Sequence, residues 1–371
     1  WRLALGQWGS IADRALTGAH HSPCGNRTLH TGLKELSTMN EHSDRLIVLS
    51  RRDVLELLTL PDCIAAVERA FRLHAEGRTL GPGVLGVPAV DGGFHIKAAG
   101  LIGERSYFAA KTNANFPDNP RRFGLPTILG TIVLADASNG VPLAIIESGS
   151  VTALRTAAAT AVAAKFLARR DARTVTIVGC GVQGELQLAA VAAVLPLQRA
   201  WVLDSDHERA ERMAARTAAS LGLQVEATKD LRAALRESDV CVTCTPARRA
   251  FVMAADVPPG MFIAAVGADS QGKQELEPAL AASATLVVDI LNQCAEIGEL
   301  QHVLAAGLLT RAQVHAELGD VVVGGHPGRT RDDEITIFDS SGTALQDVAA
   351  AIVVYENARA TGRGIEVKLD G

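Results

Sequence analysis

Strand-like and helix-like segments alternate through the second half of the chain, from residue 151 to about residue 290. The strand-like runs are TVTIVG, AWVLDSD, QVEAT, DVCVTCTP, MFIAAVGAD and TLVVDI, and helical segments separate most of them. Alternation of this kind predicts a parallel sheet covered by helices on both faces. In such doubly wound α/β sheets, ligands bind beyond the carboxyl ends of the strands. We therefore look for functional side chains where these runs end.

The preceding segment, residues 45 to 150, has a different pattern. Two short helices are predicted in SRRDVLELLTLPDCIAAVERAFRLHAEGR, where Ser50 and Asp53 suit a capping box. Strand-like runs follow: GFHIKAA, YFAAKTNAN, TILGTIVLAD and VPLAIIE. The turn sequence ASNG predicts an antiparallel hairpin from the last two. These elements predict an α+β domain, and we expect the C-terminal segment DEITIFDSSGTALQDVAAAIVVYENARA to return to it.

The sequence thus predicts three regions. Residues 1–44 lack sustained periodicity, so we expect a disordered or non-native extension. Residues 45–150 with 326–371 would form the α+β domain, and residues 151–325 the doubly wound domain.

Charge and hydropathy limit the partners. The formal net charge is −5 with acids and bases well mixed, which does not favour nucleic acid. No stretch reaches the ~18 uninterrupted apolar residues of a membrane span, and no signal-peptide core is found. The cytoplasm is therefore the expected location, and a small molecule the expected partner. Neither a Ser-His-Asp set nor a metal-ligand cluster stands out.

A glycine-rich loop follows the first strand of the alternating region. In TVTIVGCGVQGELQLAAVAAV, Gly179, Gly181 and Gly184 have GxGxxG spacing between a β-branched strand and a helix. The first glycine permits a tight turn, the second lets a pyrophosphate approach, and the third lets helix and strand pack closely. The alternative is an ordinary glycine turn. The context favours a dinucleotide-binding site.

Asp204 ends the next strand, about 20 residues after the glycine motif, where a carboxylate binds the ribose hydroxyls of a dinucleotide. Its charge would repel a 2′-phosphate and so favours NAD over NADP. Arg209 and Arg212 lie nearby and weaken that preference. The alternative is an ordinary surface Asp.

Two charged residues stand at the ends of apolar strands. Asp269 follows MFIAAVGA at the mouth of a predicted buried strand, where a carboxylate is costly unless it has a role. The alternative role is an N-cap for a following helix. Lys111 ends YFAAK, and a lysine in such a strand binds anions or has a shifted pKa. The alternative is a snorkelling lysine at a sheet edge.

Three further basic residues are candidates. Arg155 is predicted in the first turn of the Ala-rich helix VTALRTAAATAVAAKFLARR, where a cation opposes the helix dipole. This placement suggests a compensating anion, with a surface arginine as the alternative. His95 and Lys97 alternate on one face of FHIKAA, and that face is either a ligand site or solvent-exposed.

The chain resembles the ornithine cyclodeaminase/mu-crystallin family from about residue 46 to the end. The resemblance is carried by KTNANFPDNP…GLPT, TALRTAAATAVAAKFLAR, VGCGVQ, VGADSQGKQEL and DEITIFDSSGTALQDV, in this order. It implies a Rossmann-type domain and a second substrate-binding and dimerisation domain completed by the C-terminal segment. It also implies a homodimer.

The resemblance implies a role for each matching residue. Asp269 corresponds to the catalytic acid/base, and Lys111 lies beside the substrate. Arg155 reaches the substrate carboxylate and the cofactor, while Lys273 and Ser340 line the nicotinamide side. The remaining cofactor contacts implied by the match are Val182, Gln183, Thr127, Thr245 and Val266.

One position departs from the family pattern. Many members carry an arginine for the substrate carboxylate on the strand that precedes Lys111, and here that strand reads FHIKAA. His95 or Lys97 would replace it, but neither offers the rigid bidentate fork of a guanidinium.

The sequence therefore predicts an NAD(H)-dependent enzyme that interconverts an amine and an imine at the α-carbon of a small amino acid. A cyclodeaminase (a lyase), an amino acid dehydrogenase and an imine reductase share this chemistry. The alternative is a mu-crystallin-like, dinucleotide-dependent ligand-binding protein with little turnover. The joint presence of Lys111, Arg155 and Asp269 favours an enzyme.

Overall fold

The computed structural model describes residues 45–369, which form two large β-sheets and a small third one. The predicted extension at residues 1–44 lies outside the described residues. None of the described helices is long and apolar enough to cross a membrane.

The first sheet has seven strands. They are β1 (Arg45–Leu49), β2 (Thr79–Ala89), β3 (Gly92–Leu101), β4 (Tyr107–Asn115), β5 (Ile128–Asp136), β6 (Pro142–Glu147) and β17 (Ile365–Lys368). Their order is β17-β1-β6-β5-β4-β3-β2. The β5–β6 pair is antiparallel, which confirms the hairpin predicted from ASNG.

Helices cover one side of this sheet. They include α1 (Arg51–Leu57), α2 (Leu60–Ala75) and, from the end of the chain, α12 (Ala344–Thr361), while α3 (Asn119–Phe123) lies in the β4–β5 connection. The predicted capping box begins α1: the Ser50 side chain accepts from the backbone of Asp53, whose carboxylate accepts from the backbone of Ser50. These four backbone and side-chain groups define where the helix starts.

The second sheet has eight parallel strands. They are β7 (Thr174–Val178), β8 (Arg199–Leu203), β9 (Gln224–Ala227), β10 (Val240–Thr243), β12 (Phe262–Ala265), β14 (Thr285–Val288), β15 (Ala316–Glu317) and β16 (Thr336–Asp339). Their order is β9-β8-β7-β10-β12-β16-β14-β15, so the strand order reverses between β7 and β10. β11 (Arg248–Val252) and β13 (Gln274–Leu276) form a separate two-stranded parallel sheet. The predicted doubly wound parallel sheet is confirmed.

The helices of this region are α5 (Val182–Ala192), α6 (His207–Leu221), α7 (Leu231–Arg236), α8 (Pro278–Ser283), α9 (Leu291–Ile297), α10 (Leu300–Ala305) and α11 (Leu318–Val322). Two 3₁₀ turns, Ala254–Asp256 and Arg311–Gln313, complete the description.

The C-terminal segment divides between the two sheets. Its strand β16 lies in the parallel sheet between β12 and β14, whereas α12 and β17 return to the first sheet as expected. All four residues of β16 are buried, which suits an interior strand covered on both faces. The division into domains at residues 150 and 326 remains a prediction.

A long Ala-rich helix, α4 (Ser148–Leu167), connects the two sheets. Fourteen of its 20 residues are buried, so it is enclosed on several sides rather than on one stripe. It contacts α2, α5 and α12 as well as β5, β12 and β16. Alanine side chains permit this close approach from every direction, and one continuous apolar core spans both sheets.

Candidate active site

A cleft of about 230 Å³ lies where the carboxyl ends of β10, β12 and β16 face β3 and α4. Eight of the residues predicted from the sequence line it: Lys97, Arg155, Gln183, Thr245, Val266, Asp269, Lys273 and Ser340. A larger groove of about 610 Å³ between α2 and α12 contains none of the predicted residues. The smaller cleft is therefore the candidate active site, because charged groups from both sheets converge there.

Three basic side chains surround one buried carboxylate beside the cleft. The Nζ atom of Lys111 lies 2.7 Å from Oδ2 of Asp347, and Nε of Arg155 lies 2.9 Å from Oδ1. Lys97 is directly opposite Lys111 in the β3–β4 ladder. Its ammonium group donates to the backbone carbonyls of Ser341 and Gly342. Asp347 therefore contacts two of the three cations, and backbone carbonyls hold the third.

Burial changes how these groups titrate. Burial lowers the pKa of Lys111 to about 7. The neighbouring cations Arg155 and Lys97 lower this pKa further, and Asp347 raises it only enough to compensate in part. Burial and Arg155 also lower the pKa of Lys97. Burial would raise the pKa of Asp347, but Arg155 and Lys111 outweigh it and hold that pKa low. Asp347 thus stays ionised over the pH range in which Lys111 changes charge.

The position of Arg155 differs from the prediction. The helix α4 begins at Ser148, so Arg155 lies in the second turn and not the first. The N-terminus is instead capped by Glu147, whose carboxylate accepts from the amides of Gly149 and Ser150. Arg155 is 5% exposed, so the surface alternative is wrong. Its compensating anion is Asp347 on α12.

Asp269 pairs with a lysine in its own loop. The Nζ atom of Lys273 donates to Oδ1 of Asp269 at 2.6 Å, and both side chains line the cleft. The chain continues from Asp269 through turns into β13, so no helix starts there and the N-cap alternative is wrong. Asp269 therefore lines the same cleft as the buried cations Lys97 and Arg155.

The glycine motif has the geometry that a dinucleotide needs. Gly179 has φ +106°, and a Cβ there would lie 2.8 Å from the carbonyl oxygen of Cys244. A Cβ on Gly184 would lie 2.1 Å from the carbonyl oxygen of Gly179, so α5 packs directly on the loop. Gly181 is the N-cap of α5, and apart from its chain neighbours no atom of residues 45–369 lies within 4 Å of a Cβ placed there. A phosphate can approach the helix N-terminus there.

Asp204 follows β8 and lies beside this loop. Its carboxylate accepts from the backbone amides of Cys180 and Asp206, which outweigh burial and hold its pKa below the usual value. Nη1 of Arg209 is 4.0 Å away, while Arg212 pairs with Asp206 and Glu208. An ionised carboxylate at this place fits a ribose diol.

Not all predicted residues reach the cleft. His95 is half-exposed on β3 and is not one of the described residues that line the cleft. Thr127 and Val182 also lie outside the lining, as do the three glycines and Asp204. Val182 is 72% exposed at the start of α5, and Thr127 precedes the lining residue Ile128. Lys111 lies just behind the lining, with Nζ 3.4 Å from Oγ1 of Thr152.

Sequence reasoning missed Asp347 and Gln346. The Oε1 atom of Gln346 accepts from Nη1 of Arg155 at 2.6 Å, and Asp347 binds both Arg155 and Lys111. In the sequence, an Asp three residues into a helix is explained by the helix dipole alone. The run ALQDVAAA shows Gln346 and Asp347 as polar residues among apolar ones, but nothing in it identifies their partners.

The chain is similar to known proteins over most of its length. Residues 45–362 match the family model described as ornithine cyclodeaminase/mu-crystallin family. An archaeal alanine dehydrogenase, solved as a dimer with bound NAD, is 36% identical and has a TM-score of 0.84. The match covers 88% of this chain and 99% of that one.

Two further solved structures are similar. The Thermococcus litoralis Δ1-pyrroline-2-carboxylate reductase, in complex with NADH and L-proline, is 32% identical with a TM-score of 0.83, over 87% of this chain and all of that one. A lysine cyclodeaminase is 32% identical with a TM-score of 0.74, over 88% of this chain and 96% of that one. The chain belongs to the ornithine cyclodeaminase/mu-crystallin family.

Proposed function

We propose that the protein is an NAD(H)-dependent enzyme that interconverts an amine and an imine at the α-carbon of a small amino acid. The observation that carries this proposal is the cleft itself, which the buried cations Lys97 and Arg155 line together with Asp269. A substrate with a carboxylate and a nitrogen on one carbon would bind with each group beside an appropriate side chain.

In this proposal the buried cations bind the carboxylate of the substrate. Lys97 and Arg155 line the cleft, and Lys111 lies behind them. Since Asp347 compensates only part of their charge, a substrate carboxylate would supply the missing negative charge. Binding it there fixes the orientation of the α-carbon, and orientation lowers the barrier by several kcal/mol.

Asp269 moves the proton at the substrate nitrogen. A carboxylate in the wall of a cleft can accept a proton from an ammonium group and return it to an amine, which is general acid–base catalysis. Lys273 donates to Oδ1 of Asp269 and holds the carboxylate in place. Arg155 and Lys273 thus orient the substrate and the base, respectively.

NAD fits the loop between β7 and α5, with the pyrophosphate at Gly181 and the ribose at Asp204. Gln183, Thr245, Val266 and Ser340 extend this surface into the cleft. When bound, NAD would supply hydride transfer to or from the α-carbon of the substrate. NAD or NADH is present in the related structures of alanine dehydrogenase and pyrroline-2-carboxylate reductase, which supports this assignment.

A panel of substrates tests the proposal. NADH absorbance is followed with amino acids plus NAD, and with 2-oxo acids plus ammonia, or cyclic imino acids, plus NADH. Because a cyclodeaminase returns the hydride and gives no net absorbance change, ammonia and cyclic amino acid products are measured from diamino acids as well. Turnover in any arm supports the proposal, whereas tight NADH binding without turnover in all arms favours the ligand-binding alternative.

We also propose a homodimer. Val87, Phe94, Ala114 and Leu129 are paired across β2 to β5, so they share one face of the first sheet. Val87, Phe94 and Leu129 are each at least 40% exposed. Large exposed apolar patches mark interaction sites, and the related alanine dehydrogenase is a dimer. A cytoplasmic location remains part of the proposal.

A further inference from the structure

A second buried carboxylate lies beneath the cleft and outside the proposed chemistry. Asp289 follows β14 and is fully buried. Its Oδ1 accepts from Oγ of Ser341 at 2.6 Å and from the amide of Ile290 at 2.8 Å. Its Oδ2 accepts from the amide of Gly342 at 2.6 Å. These hydrogen bonds offset the cost of burying the charge.

The segment that Asp289 holds forms part of the cleft wall. Ser341 and Gly342 follow β16, and both line the cleft. Their carbonyl oxygens accept from the ammonium group of Lys97. Gly342 also packs against Arg155, since a Cβ there would lie 2.9 Å from Nη1. The position of this turn therefore determines where both cations can lie.

We propose that Asp289 is a positioning residue for the substrate carboxylate site. By anchoring Ser341 and Gly342 from below, it fixes the two carbonyls that orient Lys97. The inference rests on the proposed function only in taking Lys97 as a substrate-binding residue. It deepens that function by assigning the support of Lys97 to a residue that does not itself line the cleft.

A comparable buried carboxyl group, that of Glu275, provides the matched control. Glu275 is fully buried and accepts from the amides of Thr245 and Gly267 at 2.7 and 2.8 Å. It holds the turns after β10 and β12, which do not contact Lys97 through any hydrogen bond described within residues 45–369. Glu275→Gln alters a buried carboxyl group that holds turns at the same edge of the eight-stranded sheet without belonging to it.

The first measurement does not depend on activity. Trace labelling of the NAD-loaded protein with acetic anhydride, read by mass spectrometry at Lys97, gives the pH at which this amine titrates. The charges that face Lys97 are Lys111 on β4, Arg155 on α4, Asp347 on α12, Asp269 after β12 and Asp289 after β14. Asp289→Asn should lower the midpoint by about half a pH unit or more, because a nearby anion is removed. Glu275→Gln should leave it unchanged.

The second measurement concerns ligand binding. Oxamate, an unreactive analogue of a small 2-oxo acid, is titrated into NADH-loaded protein with NADH fluorescence as the signal. Asp289→Asn should raise the Kd of oxamate about fivefold with the Kd of NADH unchanged. On a Lys97→Met background it should have no further effect, because the two residues act as one unit.

Separate outcomes identify separate failures. An unchanged titration of Lys97 in a folded Asp289→Asn variant overturns the inference, as does the same shift in Glu275→Gln. If Asp289→Asn does not fold, Ser341→Ala replaces it, because this change removes one hydrogen bond of Asp289. If Ser341→Ala still raises the Kd of oxamate on the Lys97→Met background, the inference is overturned. Absence of oxamate binding in the wild type contradicts the proposed function, while the labelling still tests the positioning.

Discussion

At the scale of single residues, a carboxylate that stays ionised lies beside the cleft next to a lysine whose pKa is lowered to about 7. Asp347 lies between Lys111 and Arg155, and all three are buried. The sequence predicted both cations but not the anion that compensates them, because a long-range ion pair leaves no local pattern. The sequence also left open whether Lys97 faces a ligand site or solvent, and the structure places its side chain in the cleft.

Lys111 should impose a pH dependence on substrate capture. Burial lowers its pKa to about 7, so its charge is present below that pH and is lost above it. We expect kcat/KM for the carboxylate substrate to fall as pH rises through about 7, since kcat/KM reports the free enzyme. Lys111→Arg should move this decline to higher pH because a guanidinium remains charged.

The pH profile of Lys111→Met provides the comparison. It should have lower kcat/KM throughout and no inflection near neutrality. Lys165→Met, on an exposed part of α4 where Lys165 pairs with Glu68, is the control and should keep the wild-type profile. The same inflection in Lys111→Arg and in wild type would mean that another group titrates there.

Asp204 should set the preference for NAD. Asp204→Ala should weaken NAD binding by about 1 to 3 kcal/mol, the value of hydrogen bonds to a charged group, and narrow the gap to NADP. The control is Asp206→Ala, which removes the N-cap of α6 and should affect stability more than NAD affinity. A wild-type preference for NADP in titration would contradict the assignment of Asp204.

At the scale of elements, buried carboxyl groups hold loops and short strands in place near the carboxyl edge of the second sheet. Glu299, just before α10, accepts from the amides of Glu275 and Leu276 in β13. Burial and the nearby Asp339 raise the pKa of Glu299 to about 9. These contacts were not predictable, because the sequence showed only separate acidic residues in loops.

This arrangement should make stability depend on pH. Because the folded-state pKa of Glu299 is raised above its unfolded value, unfolding releases a proton between about pH 4.5 and 9. The contribution of Glu299 to the free energy of unfolding should therefore fall as pH rises through that range. Lys111, whose pKa is lowered, acts in the opposite direction above pH 7.

Urea unfolding of wild type and Glu299→Gln at several pH values isolates this contribution. The difference in unfolding free energy between the two proteins should decrease from pH 5 to pH 9. Glu296→Gln, at an exposed position on α9, is the matched control. A difference that is constant with pH would show that Glu299 is ionised in the folded protein.

The alternation of strands and helices made the second sheet predictable, because hydrophobic periodicity is a local property. The placement of β16 was harder. The run TIFD is far in sequence from the other strands, and its burial on both faces is evident only once its neighbours β12 and β14 are known.

At the scale of the whole molecule, family membership and the overall architecture were predictable from motifs in their order along the chain. The relation between the sheets was not, because α4 achieves it through alanine side chains packed on several sides. The local sequence pattern of an Ala-rich helix does not indicate which other elements it contacts.

The apolar face of the first sheet should form the contact between two copies of the chain. Leu85→Glu combined with Leu129→Glu should convert a dimer to a monomer in light scattering, because two charges would be buried without partners. Leu55→Glu is the control: Leu55 and Leu85 are both 57% exposed, but Leu55 lies on α1. A wild-type monomer, or a double variant that remains dimeric, would contradict this interface.

The central claim is that Asp269 moves a proton at the substrate nitrogen, and Asp269→Asn tests it most directly. Asparagine keeps the size of the side chain but cannot accept the proton. Once the substrate panel has identified a reaction, steady-state kinetics should show kcat reduced about 100-fold or more, with stability and NAD affinity near wild type. An Asp269→Asn variant that turns over within a few-fold of wild type would remove Asp269 from the mechanism.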